Sequence, residues 1–266
     1  MRKKFLLAGS DLRQHYLKEM LEQRGHMTEL VENIENADVE RYDAILLPVS
    51  DSPRCFHLIK DKLKKHQYVF GCNLENLHEK EVTAAQAEDR VKIIEYMKQD
   101  SVAYKNAVAT AEGAVAEVII RSTVNLCGSS SLVLGYGRCG KVLADRLVRM
   151  YSLVTVMERK KALRAEAEAN GCRTVEFSIL PFLQREGRKY DYVFNTVPAM
   201  VLDSRCLSML NRNVTIIDIA SKPGGVDYEY CKMHHINAVN ALGLPGKYAP
   251  KTSAEILLEV IEEAMG

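Results

Sequence analysis

Short apolar runs alternate along the chain with longer stretches in which apolar side chains recur at every third or fourth position. The first kind of run suits a buried parallel strand and the second an amphipathic helix, so the alternation predicts an α/β fold with parallel sheets. In the first half the spacing predicts strands at Lys4 to Ala8, Thr28 to Glu32, Asp43 to Pro48 and Tyr68 to Cys72. A first helix is expected from Leu12 to Arg24, where Leu17, Met20 and Leu21 share a face, and Gly25 stands where a left-handed residue ends a helix.

An Ala- and Val-rich stretch from Asn106 to Arg121 predicts a helix leading from one domain to the next. Six more strands are expected at Ser131 to Leu134, Leu153 to Met157, Arg173 to Glu176, Tyr190 to Asn195, Val214 to Asp218 and Asn237 to Asn240. The last helix, Thr252 to Ala264, opens with Thr252 and Glu255 at capping-box spacing, and its Ile256, Leu257, Val260 and Ile261 form an apolar stripe. The expected organisation is α/β in two domains. A small open α/β domain on the substrate side (1–105) is followed by a connecting helix (106–125), a Rossmann-type dinucleotide-binding domain (126–250) and a C-terminal helix (251–266) packing back toward the first domain.

Gly135-Tyr136-Gly137-Arg138-Cys139-Gly140 follows an apolar strand and precedes Val142, Leu143 and Leu147 at helical spacing. Gly135 permits a tight turn, Gly137 lets backbone approach a pyrophosphate, and Gly140 packs helix on strand, so a dinucleotide is expected here. The next strand ends in Glu158-Arg159-Lys160-Lys161. A carboxylate there accepts from the ribose hydroxyls of NAD, whereas cations pair with the 2′-phosphate of NADP. Both are present. The run of cations favours NADP, with Arg159 as the clamp and Lys160 beside it, and NAD stays open. Ligands of open α/β sheets bind beyond the carboxyl ends of strands, which places Asn195-Thr196-Val197-Pro198 on the nicotinamide side. Asp218 to Gly225, including Ala220, is the next polar, glycine-containing segment.

Charge narrows the partners. Lys and Arg number 36 against 35 Asp and Glu, which leaves no global field to collect nucleic acid or an anionic membrane. No apolar run approaches the ~20 residues of a membrane span. Met1 to Ala8 is too short for a signal peptide and reads as the first strand. The seven cysteines are scattered without a Cys-x-x-Cys pair, and the seven histidines include no His-x-x-x-His. Neither a disulfide framework nor a metal site is expected, and a reducing cytoplasm fits.

Ala8-Gly9-Ser10-Asp11-Leu12-Arg13, Leu46-Leu47-Pro48-Val49-Ser50, Thr110-Ala111-Glu112-Gly113, the glycine loop, Asn195 to Pro198, Asp218 to Gly225, Gly243-Leu244-Pro245-Gly246-Lys247 and Ala249-Pro250-Lys251-Thr252 occur in one order over nearly the whole chain. In that order they resemble the A subunit of dipicolinate synthase from spore-forming bacteria. The resemblance implies formation of pyridine-2,6-dicarboxylate from a hydroxylated tetrahydrodipicolinate, with loss of water and hydride transfer to a nicotinamide cofactor. It also implies a partner, the flavoprotein-like B subunit of dipicolinate synthase, with a homodimer as a further allowed state, and a place in the mother cell during sporulation. The chain departs from the family pattern at Ser10, where a second glycine is usual, at Ala109, where proline is common, and at Asn240-Ala241, where Ala-Pro is usual.

A dicarboxylate needs fixed cations in an otherwise neutral protein. Arg13, Lys222, Lys247 and Lys251 fall at motif ends, where Arg13 can grip a carboxylate bidentately and the lysines act as point charges, with Ser10, Ser50 and Thr110 as hydroxyl partners. Making the ring aromatic also requires a base and an acid. Glu112, in an Ala- and Val-rich segment where it would be buried, is the candidate base; its plain alternative is a dipole-complementing place beside a Thr110 cap. Lys222 is the candidate acid, with Asp218 either orienting it or capping backbone amides. Two alternatives remain: a non-catalytic NADP-binding scaffold for the B subunit, and another NAD(P)-dependent dehydrogenase. Against 2-hydroxyacid dehydrogenases, which use a late histidine, the last one here is His235, and the loop after Gly243 has none.

Overall fold

The computed structural model describes residues 1–74 and 91–266. The chain divides into two compact units, Met1–Asn106 with Pro245–Gly266, and Ala107–Leu244. In the first, β1 (Lys4–Ala8), β2 (Met27–Val31), β3 (Ala44–Leu46), β4 (Gln67–Gly71) and β5 (Val91–Glu95) form a parallel sheet in the order β2-β1-β3-β4-β5. Strand side chains alternate between faces. Phe5, Leu7, Leu46 and Phe70 belong to one buried cluster, and Leu6, Ala8, Ile45 and Val69 to the other. Both faces are therefore covered, which is why these strands read as unbroken apolar runs.

Helix α1 (Leu12–Gln23) starts where the Asp11 side chain accepts from the Arg13 backbone N–H. It ends in a left-handed Gly25, φ +83°, with Gly25 and His26 donating back to the carbonyls of Glu22 and Leu21. The short α2 (Ser52–Ile59) buries Phe56 and Ile59 on the opposite face of the sheet. Strand β5 is an addition to the four strands expected here. It lies at the sheet edge, where only Val91 is fully buried, and a half-exposed strand gives a weak apolar signal.

Helix α3 (Asp100–Arg121) begins six residues before the expected Asn106, because Val102 and Ala103 already carry its buried face. The boundary between units falls inside it. The second unit is a six-stranded parallel sheet in the order β11-β10-β9-β6-β7-β8. Its members are β6 (Ser130–Leu134), β7 (Leu153–Glu158), β8 (Arg173–Glu176), β9 (Tyr192–Asn195), β10 (Thr215–Asp218) and β11 (Asn237–Asn240). Between them run α4 (Arg138–Arg149), α5 (Lys161–Ala169), α6 (Ile179–Glu186), α7 (Ser204–Ser208) and α8 (Tyr228–Met233). This is the doubly wound arrangement expected of a Rossmann-type domain.

A short α9 (Leu244–Tyr248) leads to α10 (Pro250–Met265), whose Leu257, Leu258 and Ile261 share a buried cluster with Leu17 and Leu21 of α1. The capping box expected at Thr252 is not formed. Ala249 is the N-cap, without a side-chain bond, and Pro250 begins the helix. Proline is already set for the first helical position and needs no N–H there, so the helix starts two residues early and Thr252 falls inside it. Among the described residues no helix is long and apolar enough to cross a membrane.

Candidate functional site

The glycine loop of the second unit lies at the carboxyl end of β6. Gly135 has φ +89°, and a Cβ there would stand 2.5 Å from the Thr196 hydroxyl. A Cβ on Gly140 would stand 2.4 Å from the Gly135 carbonyl oxygen, so helix and turn pack backbone to backbone. Gly137 differs: its φ is −77°, and nothing lies within 4 Å of where a Cβ would be. It is the N-cap of α4, and no side chain caps that end. An uncapped helix N-terminus beside an open glycine is the arrangement that accepts a phosphate. Tyr136 contributes backbone alone, since its ring is buried and its hydroxyl pairs with the Asn170 amide at 3.2 Å.

At the end of β7, Glu158 turns back on the loop. Its carboxylate accepts from the backbone N–H of Tyr136 at 3.0 Å and of Lys160 at 3.0 Å. Burial pulls this carboxyl upward, but the backbone amides and the Arg159 cation outweigh it and hold it below its ordinary value. Arg159 and Lys160 are exposed, as is Arg138 on the first turn of α4. Arg164, which the sequence pattern did not single out, reaches back from α5 and donates through Nη1 to the carbonyls of Glu158 at 2.8 Å and Arg159 at 2.7 Å.

Asn195 and Asp218 are register partners on adjacent strands, and both are fully buried. The Asn195 amide donates to Asp218 at 2.8 Å and to the Val197 carbonyl at 3.0 Å, and its oxygen accepts from the Val197 N–H at 3.0 Å. All three bonds are internal, so Asn195 shapes the Thr196-Val197-Pro198 turn rather than reaching outward. Asp218 accepts from the N–H of Ala220 at 3.1 Å and of Gly225 at 3.0 Å, and from the Tyr228 hydroxyl at 3.1 Å. Burial and the facing Asp218 push the Tyr228 phenol up. Of the two expected roles for Asp218, this is the amide cap. It brackets both ends of the Ser221 to Gly224 turn, closed by Gly224 N–H to Ser221 carbonyl at 3.0 Å, on which Lys222 is exposed.

Thr110 is buried ten residues into α3 and hydrogen-bonds with Cys139, whose thiol burial raises and that bond partly offsets. It is therefore no helix cap. Glu112, expected to be buried among Ala and Val, is exposed, because the buried stripe of α3 runs through Ala111, Ala114 and Val118.

In the first unit Ser10 and Ser50 line a pocket of about 380 Å³ with Asp11, Glu32, Asp51 and Gly246. Arg13 is only 5% exposed and forms an ion pair with Asp11, donating through Nε at 2.9 Å. Burial raises the Asp11 carboxyl, and the Arg13 bonds more than offset this and keep it below its ordinary value. The guanidinium packs so tightly under Gly246 that a Cβ there would come within 2.9 Å of it. One edge of the expected carboxylate grip is thus filled by the protein's own carboxylate. Lys251 lines a separate groove with Glu19 and Glu255, and Lys247 sits 4.9 Å above the Tyr248 ring.

No family model matches the chain. It is 30% identical over 253 residues to the A subunit of dipicolinate synthase from Bacillus subtilis (strain 168), covering 88% of this chain and 81% of that protein. The crystal structure of the dipicolinate synthase A subunit from Bacillus halodurans superposes with a TM-score of 0.82 at 26% identity, covering 98% and 97% of the two chains. A transhydrogenase from Sinorhizobium meliloti shares the fold, with a TM-score of 0.71 at 13% identity over 99% of this chain and 93% of that one. Sequence similarity and fold both extend over most of the chain, and the chain belongs to the dipicolinate synthase A-subunit family.

Proposed function

We propose that the protein forms pyridine-2,6-dicarboxylate from 4-hydroxy-tetrahydrodipicolinate, with NADP as the preferred cofactor and NAD as the lesser one. The substrate loses water, then gives up a hydride to the cofactor and a proton to a base, which leaves the aromatic ring. The observation that carries this reading is the uncapped N-terminus of α4 beside the open Gly137, in a member of this family.

The backbone of Gly135 to Gly140 would hold the pyrophosphate, Arg159 and Lys160 the 2′-phosphate, and Thr196 to Pro198 with Ala220 the nicotinamide end. The bound cofactor supplies the oxidation by accepting the hydride. Lys222 protonates the leaving hydroxyl from a turn that Asp218 fixes at both ends. Glu112 takes the carbon-bound proton. Ser10, Arg13, Ser50 and Lys247 are assigned to the substrate's polar groups, without Lys251, which lies in a separate groove, or the buried Thr110, and the B subunit of dipicolinate synthase is the expected partner.

The test is ultraviolet detection of dipicolinate from freshly generated hydroxytetrahydrodipicolinate, with and without the B subunit. Lys222→Met keeps the stem and removes the charge. It should retain cofactor binding while dipicolinate formation falls by at least ~10²-fold, the lower end for general acid catalysis. Activity within threefold of wild type would overturn the role of Lys222, and the same result for Glu112→Gln would move the chemistry to the partner and favour a scaffold role.

A further inference from the structure

From the end of β7 into the first turn of α5 the chain carries one carboxylate, Glu158, against four cations, Arg159, Lys160, Lys161 and Arg164. Their side chains are not equivalent. Arg159, Lys160 and Lys161 are exposed, and an exposed side chain loses rotamer freedom when it closes on a ligand. Arg164 is half-buried and already ordered, because Nη1 bridges the carbonyls of Glu158 and Arg159. Its Nε and Nη2 donate to no described residue. Lys141 nearby on α4 is different again, since Glu166 neutralises it at 2.7 Å.

Glu158 would be the competing reader of this position. In NAD-selective sites an acidic residue here accepts from the ribose hydroxyls. In this protein each of its two oxygens already accepts from a backbone N–H, one from Tyr136 and the other from Lys160. The carboxylate is turned toward the loop, and a fixed guanidinium fork stands at the same strand end.

We propose that Arg164 selects the cofactor: pinned by two backbone carbonyls, it presents Nε and Nη2 to the 2′-phosphate of NADP, and it outweighs the more mobile Arg159 in this role. A planar fork suits a phosphate better than a lysine point charge does. The inference rests on the dinucleotide reading of the glycine loop and adds to it the residue that decides between the two cofactors.

Calorimetric titration of the intact chain with NADP, NAD, adenosine 2′,5′-bisphosphate and AMP tests it without reference to turnover. Wild type should bind NADP at least tenfold more tightly than NAD, about 1.4 kcal/mol. Arg164→Met should remove that preference, lowering affinity for NADP and the bisphosphate at least tenfold while NAD and AMP change less than threefold. Arg159→Ser should have the smaller effect, and Arg164→Lys, which keeps the charge but not the fork, should fall between. Equal losses for both cofactors in Arg164→Met mean that it only braces the turn, and overturn the proposal, as does an unchanged ratio. A wild type that prefers NAD also overturns it while leaving the loop's role intact. A wild type that binds neither cofactor overturns the dinucleotide reading, and this inference with it.

Discussion

The two sheets begin the same way and then treat the first helix N-terminus in opposite ways. After β1, Gly9 at φ +103° donates to the Val31 carbonyl at the end of β2, and after β6, Gly135 at φ +89° donates to Met157 at the end of β7. In each case the next residue along the chain is a glutamate, Glu32 just past β2 or Glu158 at the end of β7. In the first unit Asp11 then caps α1 and pairs with Arg13, so the positive end of that helix is met by a carboxylate of the protein. In the second, Gly137 leaves the end of α4 uncapped. The same strand-turn-helix unit thus either satisfies its own dipole or offers it to an anion, and one residue position decides which.

That contrast can be broken most severely at Gly140. Alanine there would place a Cβ against the Gly135 carbonyl, so we expect a stability loss of ~1 to 3 kcal/mol from overpacking, read as a lower thermal midpoint, together with loss of dinucleotide binding. A variant that melts like wild type would show that the turn can shift freely.

Gly137→Ala is the sharper companion. Nothing in the protein opposes a Cβ at Gly137, so the melting curve should be unchanged, while dinucleotide affinity falls at least tenfold, ~1.4 kcal/mol, because the methyl group fills the cradle. Unchanged affinity in calorimetry would mean that the glycine loop does not hold the pyrophosphate.

The smallest effect is expected from Asp11→Asn, which keeps a hydrogen-bond acceptor at the cap and removes the charge. A loss of ~1 kcal/mol is expected at pH 7 in urea melts, the upper end for a carboxylate charge at a helix N-terminus. Because the folded Asp11 carboxyl lies below its ordinary value of 3.8, its contribution is present above that value and is lost as pH falls through the depressed one. The gap between wild type and variant should therefore close in acid. A gap that stays constant down to acid pH would mean that the Asp11 charge does not stabilise α1.

Much of this could be read from the chain because it depends on neighbours in sequence. All six strands of the second unit follow from short apolar runs, and Gly135, Gly137 and Gly140 follow from the spacing of one turn. Helix starts are less legible: α3 begins at Asp100 because its buried face is chosen by what it packs on, and α10 begins at Pro250 because proline rather than Thr252 opens it. The site was half legible. Asn195 stands at the strand end where a ligand residue was expected, yet it turns inward because its partner across the ladder is Asp218, 23 residues away.

By itself, then, the sequence determined the α/β class, the glycine-rich turn after β6 and the cationic segment after β7, because sterics and periodicity act over a few residues. Only the tertiary structure decided that Glu158 faces the loop, that Arg164 is anchored on backbone carbonyls, that Glu112 is exposed, and that the chain rejoins its first unit at Pro245. Those outcomes depend on strand order and on which buried polar groups must find partners, and both are settled only when distant segments meet.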